Sequence, residues 1–184
     1  YSDLGFYLLA QMVEYQSGMG FDKYVDSTFY APLGLQSATF NPWKKFPIEQ
    51  MPPTEEDHYY RQQRVQGYVH DMGSAMLGGV SGHAGLFSNA NDLAVIMQML
   101  LQQGYYGGNR YLEPQTVQNF ITRHPRSIRR GVGFDMYPMG ASYPTNMSAQ
   151  ASESTFGHTG FTGTCTWVDP ENNLVYVFLS NRTF

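Results

Sequence analysis

The first stretch of the chain has the apolar spacing of an α-helix. One apolar face repeats every three or four residues: Leu4, Tyr7, Leu8, Met12 and Tyr15. A second apolar face consists of Phe6, Leu9 and Val13. Ser2 suits the N-cap, and Gly18 suits the residue that follows a helix. The pattern predicts a helix from Asp3 to Ser17, and its two apolar faces predict that it is buried in a larger fold.

Three further helices are predicted from the same kind of pattern. Residues 21–30 have an apolar face at helical spacing. A longer helix begins after Asn89, which suits the N-cap with Asp92 three residues into the helix, and ends before Gly104. Its apolar stripe consists of Leu93, Ile96, Met97, Leu100 and Leu101. A short helix begins with Pro114 at its first position. Its predicted buried residues are Val117, Phe120 and Ile121.

The segment between the second and third helices, residues 35–87, has no clear period. It contains turn-rich stretches such as "NPWKKFP", and four of the eight residues in "GGVSGHAG" (78–85) are glycine. A segment of this length without periodicity is usually functional or lies over a site. We therefore expect it to be irregular.

The last third of the chain alternates as β-strands do. Residues 132–136 are a predicted strand, and "TCTWV" (164–168) and "LVYVFL" (174–179) flank the turn-forming "DPENN" as a hairpin. The last strand is continuously apolar, which is typical of a central strand. Helices followed by antiparallel strands predict an α+β fold with helices packed on one sheet.

Composition narrows the function classes. The 184 residues suit one domain, and a net charge of −4 gives no general affinity for nucleic acid. No apolar run is long enough to span a membrane. The single cysteine, Cys165, excludes an internal disulfide and is expected in the core. The five histidines show no metal-ligand spacing, so neither a metal nor another cofactor is expected.

"HTG" (158–160) stands where the first strand of the hairpin is expected to begin. A small, glycine-flanked triplet there is explained either by a bend or by a ligand that approaches the backbone. Together with "YSD" (1–3), it resembles the third and second motifs of the serine β-lactamase and penicillin-binding-protein superfamily. The resemblance is to the branch with class C β-lactamases, D-aminopeptidases and esterases, and it covers nearly all of the chain. "VHDMGSAMLGGVSGHAGLFS" (69–88) resembles more narrowly the serine hydrolases associated with or fused to bacterial β-N-acetylglucosaminidases.

The resemblance implies roles for specific residues. Tyr1 takes the position of the tyrosine that shares a proton shuttle with a lysine, and His158 takes the polar position that faces substrate and tyrosine. The backbone N–H of Phe161 is one of two oxyanion donors. Because these groups must flank one serine, Tyr1 and residues 158–161 are expected to lie close together.

Four further residues are expected at the substrate. By resemblance, Thr159 offers its hydroxyl to a substrate carboxylate, and Gly160 lets the substrate lie against the strand. Asp3 stands where many relatives have asparagine, and its charge disfavours an anionic β-lactam. His83, in the glycine-rich loop, has two readings: it faces substrate, or it is held by local backbone hydrogen bonds.

The nucleophile motif of this superfamily, Ser-x-x-Lys, does not occur in residues 1–184, since no serine is followed by lysine three positions later. By resemblance it precedes the tyrosine motif. The chain is therefore expected to be the C-terminal majority of one such domain, incomplete at both ends and inactive by itself.

For the intact domain, the resemblance implies a serine hydrolase that cleaves amides or esters through an acyl-enzyme. Cell-wall muropeptides or peptides with D-amino acids are the favoured substrates, and a fused or neighbouring glycosidase is the expected protein partner. The alternatives are a broad-specificity carboxylesterase or β-lactamase, or a non-catalytic peptidoglycan-binding module. By analogy, the protein is expected in the periplasm or cell envelope.

"RHPRSIRR" (123–130) carries four arginines: Arg123, Arg126, Arg129 and Arg130. Such a run is usually a solvated loop. The alternative is that it receives acidic peptide stems or a neighbouring domain.

Overall fold

The computed structural model describes residues 1–140 and 145–184. These residues form two units, one of residues 1–89 with 181–184, and the other Ala90–Ser180. Each unit has its own set of buried side chains.

The first unit begins with helix α1, Asp3–Ser17, as predicted. Ser2 occupies the N-cap position, although its side chain does not cap the helix by a hydrogen bond, and Gly18 ends the helix in the left-handed conformation. Ala10 is the one residue of α1 that is buried in the described structure. Most of its apolar side chains are exposed in the described residues, so the burial of α1 in a larger fold stays a prediction.

After α1 the first unit is made of short elements. Helix α2, Phe21–Val25, continues into a π-helical turn at Asp26–Tyr30. Strand β1, Thr39–Phe40, is followed by 3-10 turns at Pro42–Lys44 and Ile48–Gln50. The remaining elements are β2 (Pro53–Asp57), β3 (Gln63–Gln66), α3 (Met72–Met76) and β4 (Leu86–Phe87). β2 pairs antiparallel with β3, and β1 pairs antiparallel with β4.

The β2–β3 hairpin is the main element that the sequence pattern failed to predict. Its connection is organised by Asp57, a buried carboxylate that accepts the backbone N–H groups of Tyr59, Tyr60 and Arg61 and also the Arg61 Nε at 2.7 Å. The Arg61 guanidinium also donates to the carbonyl of Val69. Since a polar and irregular strand is held here by side-chain hydrogen bonds, no alternation of apolar residues marks it.

The described residues of the second unit carry two longer helices, a small hairpin and a four-stranded sheet. α4 is Ala90–Leu101 and α5 is Pro114–Ile121, both close to their predicted bounds. Between them, β5 (Tyr105–Tyr106) and β6 (Asn109–Arg110) form a small hairpin. Phe120 was predicted to be buried but is exposed, because α5 turns only Val117 and Ile121 into the core.

A four-stranded antiparallel sheet completes the second unit. Its strands are β7 (Asp135–Met136), β8 (Phe156–Thr159), β9 (Cys165–Asp169) and β10 (Leu174–Phe178). They lie in the order β10-β9-β8-β7. Helices and sheet share one buried cluster: Met97, Val117, Ile121, Met136, Phe156 and Val168. The predicted α+β class, with helices on an antiparallel sheet, is confirmed.

Three details of the sheet differ from the sequence expectations. "HTG" closes β8 and does not open the hairpin, which is formed by β9 and β10 after an intervening turn. β10 lies at an edge of the sheet among the described residues, although its apolar sequence predicted a central strand. Cys165 is half-buried and unpaired with another cysteine, so its predicted place in the core is only partly correct.

Candidate active site

His158 lies at the end of β8, where it pairs with Thr166 of β9. Its Nδ1 is 2.6 Å from the carbonyl oxygen of Thr159, and its Nε2 is 3.1 Å from Nη1 of Arg130. A carbonyl can only accept and a guanidinium can only donate. Both contacts are satisfied together by a neutral imidazole with its proton on Nδ1, so the ring is held in one tautomer by two partners.

Arg130 belongs to a charged cluster beside β8. Its Nε is 3.0 Å from Oδ1 of Asp135 on β7, and Nη1 of Arg129 is 2.9 Å from the same oxygen. Two guanidinium groups thus contact one carboxylate beside His158. The solvated-loop reading of the arginine run is therefore wrong for these two residues, which are built into the sheet edge. Arg123 also bonds within the unit, to the carbonyls of Ile128 and Glu153.

The turn after β8 contains the other residues predicted at the substrate. Thr159 is half-buried, and its carbonyl fixes the His158 ring. The Gly160 N–H donates to the Thr164 carbonyl at 2.7 Å, and a Cβ on Gly160 would collide with the Thr164 hydroxyl. The turn itself therefore disfavours a Cβ at this position unless the Thr164 side chain rotates away, whether or not a ligand approaches. Phe161 is 68% exposed at the tip of this turn.

Tyr1 and Asp3 lie together at the start of α1 in the first unit. The Tyr1 ring is 73% exposed and contacts the Phe6 ring at 5.4 Å between centroids. Asp3 is exposed, and its charge contributes to raising the pKa of Tyr7, after the larger effects of burial and of Asp71. Tyr1 is thus presented to solvent by the first turn of α1. The expected proximity of Tyr1 and His158 stays a prediction.

His83 is an internal residue of the first unit. Its side chain is 3% exposed, with Nδ1 2.9 Å from the Ser81 hydroxyl and Nε2 2.8 Å from Oδ1 of Asp71. The expected local backbone hydrogen bonds are replaced by these two side-chain partners. Because both ring nitrogens are occupied, the arrangement favours a structural role, and direct substrate contact by His83 stays a prediction.

Asp71 connects this network to helix α3. Its side chain accepts the Ser74 N–H at 2.6 Å as the N-cap of the helix. Burial by itself would raise the pKa of Asp71, but the hydrogen bonds that it accepts from the Ser74 N–H and from His83 outweigh this effect, and its pKa lies below the ordinary value. Asp71 is therefore held as a carboxylate.

Two important partners were missed at the sequence level. The sequence leaves two readings open for the run that contains Arg130, a solvated loop or a site for acidic peptide stems or a neighbouring domain, and it indicates no role for Ser81. No short motif marks either residue, because Arg130 meets His158 across 28 positions and Ser81 acts through a loop conformation. Their arrangement emerges only when the chain is folded.

Within residues 1–140 and 145–184, no group of three or more His, Cys, Asp or Glu side chains is arranged to hold a metal ion. No described helix is both long and apolar enough to cross a membrane.

Solved structures with a similar fold include a beta-lactamase and a penicillin-binding-protein homologue. A beta-lactamase from Mycobacterium bovis covers 100% of this chain and is 24% identical, with a TM-score of 0.68 over 57% of its own length. A penicillin-binding-protein homologue from Caulobacter crescentus covers 95% of this chain and is 19% identical, with a TM-score of 0.65 over 50% of its length. These similarities define the fold.

The family follows from the sequence. The Beta-lactamase family model matches residues 1–184, so the chain belongs to the beta-lactamase family. It is also 40% identical, over 99% of its length, to a Salmonella schwarzengrund protein named "Putative D-alanyl-D-alanine carboxypeptidase". The alignment covers 45% of that relative, so the chain spans less than half the length of the curated relatives it matches.

Proposed function

We propose that the full-length protein is a serine hydrolase that cleaves the amide bond of peptides ending in D-amino acids, through an acyl-enzyme. The observation that carries the proposal is the cluster at the end of β8. There the His158 imidazole contacts the Thr159 carbonyl and the Arg130 guanidinium, and one carboxylate, Asp135, contacts the guanidinium groups of Arg129 and Arg130. An excess of positive charge with hydrogen-bond donors suits the terminal carboxylate of a peptide.

The substrate class is supported by the 40% identical relative and its name. Peptides that end in D-alanyl-D-alanine present the free carboxylate that the β8 cluster suits. The cell envelope is accordingly the proposed place of action, with the periplasm as its particular compartment. A fused or neighbouring glycosidase stays a prediction.

The catalytic roles are also part of the proposal. The nucleophile belongs to a Ser-x-x-Lys motif outside residues 1–184, and Tyr1 takes part in the proton transfer that activates it. The Phe161 N–H stabilises the oxyanion, the Thr159 hydroxyl binds the substrate carboxylate, and Gly160 lets the substrate lie against the strand. Asp3 pairs with the lysine of the nucleophile motif. By the same reasoning, residues 1–184 alone are inactive.

The test uses the purified full-length protein and a diacetylated L-Lys-D-Ala-D-Ala tripeptide. Release of D-alanine is expected, and Tyr1→Phe should lower the rate by about 100-fold because it removes only the hydroxyl that moves the proton. Hydrolysis of p-nitrophenyl esters without D-alanine release would support the esterase alternative and overturn the peptide substrate. If neither substrate is cleaved but the protein sediments with peptidoglycan, the binding-module alternative replaces the enzyme.

A further inference from the structure

The side chains of Ser81, His83 and Asp71 form a continuous hydrogen-bonded chain inside the first unit. The two contacts measure 2.9 and 2.8 Å. Asp71 accepts the Nε2–H of the ring, which leaves Nδ1 to accept the hydroxyl proton of Ser81. All polar atoms of the imidazole are thus satisfied by a single neutral tautomer.

The order Ser–His–Asp resembles a catalytic triad, but burial excludes that role here. Ser81 is 4% exposed, and the His83 side chain is equally enclosed. A nucleophile must be within reach of a substrate carbonyl, and this hydroxyl points into the protein at the imidazole. The chain of hydrogen bonds therefore has a structural role and holds neighbouring parts of the first unit in place.

Two contacts connect this network to α1. The His83 ring stands edge-on to the Tyr7 ring at 4.6 Å between centroids. Gly82, between the two bonded residues, lies so close to α1 that a Cβ there would collide with the Phe6 carbonyl and also contact Ala10. The loop carrying Ser81 and His83 is therefore pressed against the first two turns of α1.

The Asp71 end of the network is held by helix α3. Asp71 caps α3, and a Cβ on Gly73 in the first turn of α3 would collide with the Tyr7 hydroxyl. The half-buried Tyr7 side chain thus contacts both α3 and His83. Burial of the Tyr7 side chain, with the charges of Asp71 and Asp3, raises the pKa of its hydroxyl, so Tyr7 stays neutral in this contact.

We infer that His83 is a positioning residue, which fixes α1 and thereby the location of Tyr1 in the active site. This inference rests on the proposed function, because it matters only where Tyr1 acts in the reaction. Tyr7 lies six residues after Tyr1 on the chain, so a shift of Tyr7 displaces the first turn of α1. Misplacement of a catalytic group by about 1 Å costs on the order of 100-fold in rate.

The test compares two substitutions of His83 in the full-length protein. His83→Phe keeps a ring against Tyr7 but removes both hydrogen bonds. His83→Gln offers one acceptor and one donor, as the neutral imidazole does. We expect His83→Phe to lower kcat by about 10-fold or more with KM changed less than about 2-fold, and His83→Gln to keep at least about a third of the wild-type kcat.

Ser81→Ala and Ser74→Ala provide a matched pair. Each substitution removes one buried hydroxyl. The Ser81 hydroxyl is hydrogen-bonded to His83, and the Ser74 hydroxyl donates to the carbonyl oxygen of Ala84 at 3.1 Å. Similar losses of stability are expected from both, but only Ser81→Ala should lower kcat. If His83→Phe does not fold, this pair decides the question by itself.

The outcomes separate the inference from the proposed function. If Tyr1→Phe abolishes turnover while His83→Phe and Ser81→Ala leave kcat unchanged, the positioning role is wrong and the proposed function stands. Equal kcat values for His83→Phe and His83→Gln would also overturn the positioning role. If Tyr1→Phe has no effect, the proposed role of Tyr1 fails first.

Discussion

The guanidinium of Arg130 holds the imidazole of His158, with Nη1 3.1 Å from Nε2. Arg130 is in turn fixed by Asp135, which lies on the neighbouring strand β7. His158 is therefore a residue with a defined tautomer and a defined orientation. A histidine that only filled the end of a strand would not require a charged partner on one nitrogen and a carbonyl on the other.

His158→Ala is expected to lower turnover of the true substrate by about 10-fold or more, because it removes a polar group from the proposed active site. The fold should persist, since the half-buried ring contributes little to the core. Steady-state kinetics and thermal unfolding of the full-length protein check both parts. His124→Ala, at an exposed histidine of the same unit, is the control. Unchanged kinetics would leave His158 as a residue of the strand end only.

Arg130→Met is expected to raise KM by about 10-fold for a peptide with a free terminal carboxylate, through the loss of a charge-assisted hydrogen bond. The same peptide with an amidated terminus should show a much smaller change. Arg126→Met provides the control, because Arg126 is exposed on the same loop. Equal changes for both peptides would show that Arg130 acts on His158 alone and does not bind the carboxylate.

The helices and the final hairpin could be predicted because one local rule determines each of them. α1 and α4 follow the apolar period of a helix, and β9 and β10 alternate around a turn rich in Pro and Asn. The β2–β3 hairpin could not be predicted, since its strands are polar and its connection depends on the contacts of Asp57 with Arg61.

The residues of the candidate site also fall into those that could be predicted from the sequence and those that could not. Tyr1, His158 and Thr159 stand in short motifs, so a family resemblance was enough to select them. Arg130 belongs to no motif, and Asp71 lies in the 69–88 stretch, whose resemblance gives it no role. Their partners are brought to them by the sheet and by the glycine-rich loop. Side chains that support a site from a distance in sequence are visible only in the folded chain.

Acid should weaken the first unit through Asp57. The pKa of Asp57 lies well below its ordinary value of 3.8, first because Arg61 donates to it and then because three backbone N–H groups do. Because the pKa of Asp57 is lower in the folded than in the unfolded state, the Asp57 carboxylate stabilises the fold fully at pH values above its unfolded-state pKa. This stabilisation is lost as the pH falls through the folded-state pKa. Asp57→Asn should therefore lower the urea midpoint at pH 7 and flatten its decline below about pH 4.

The comparison for this prediction is Glu56→Gln. Glu56 pairs with Arg64 at an exposed position, where an ion pair contributes little. Its urea midpoint should stay close to wild type at every pH. Burial raises the pKa of Asp169, but hydrogen bonds from Ser152 and Asn172 outweigh burial and lower it. The stability of the Asp57→Asn variant should therefore still fall in acid to some extent, through Asp169. A variant with the same slope as wild type would contradict the role of Asp57.

The exposed face of α1 gives the last prediction. Leu4 and Leu8 are 67% and 62% exposed in residues 1–184. Because this chain spans 45% of its curated relative, we expect other parts of the full-length protein to cover that face. Residues 1–184 alone should then unfold in urea at a lower midpoint than the full-length protein, since each large apolar side chain contributes about 1.5–3 kcal/mol when it is buried.

Leu8→Ser should lower the midpoint of the full-length protein and leave that of residues 1–184 nearly unchanged. Gln11→Ser, at an exposed polar position of the same helix, controls for helix propensity. Equal effects of Leu8→Ser in both proteins would mean that the face of α1 stays in solvent.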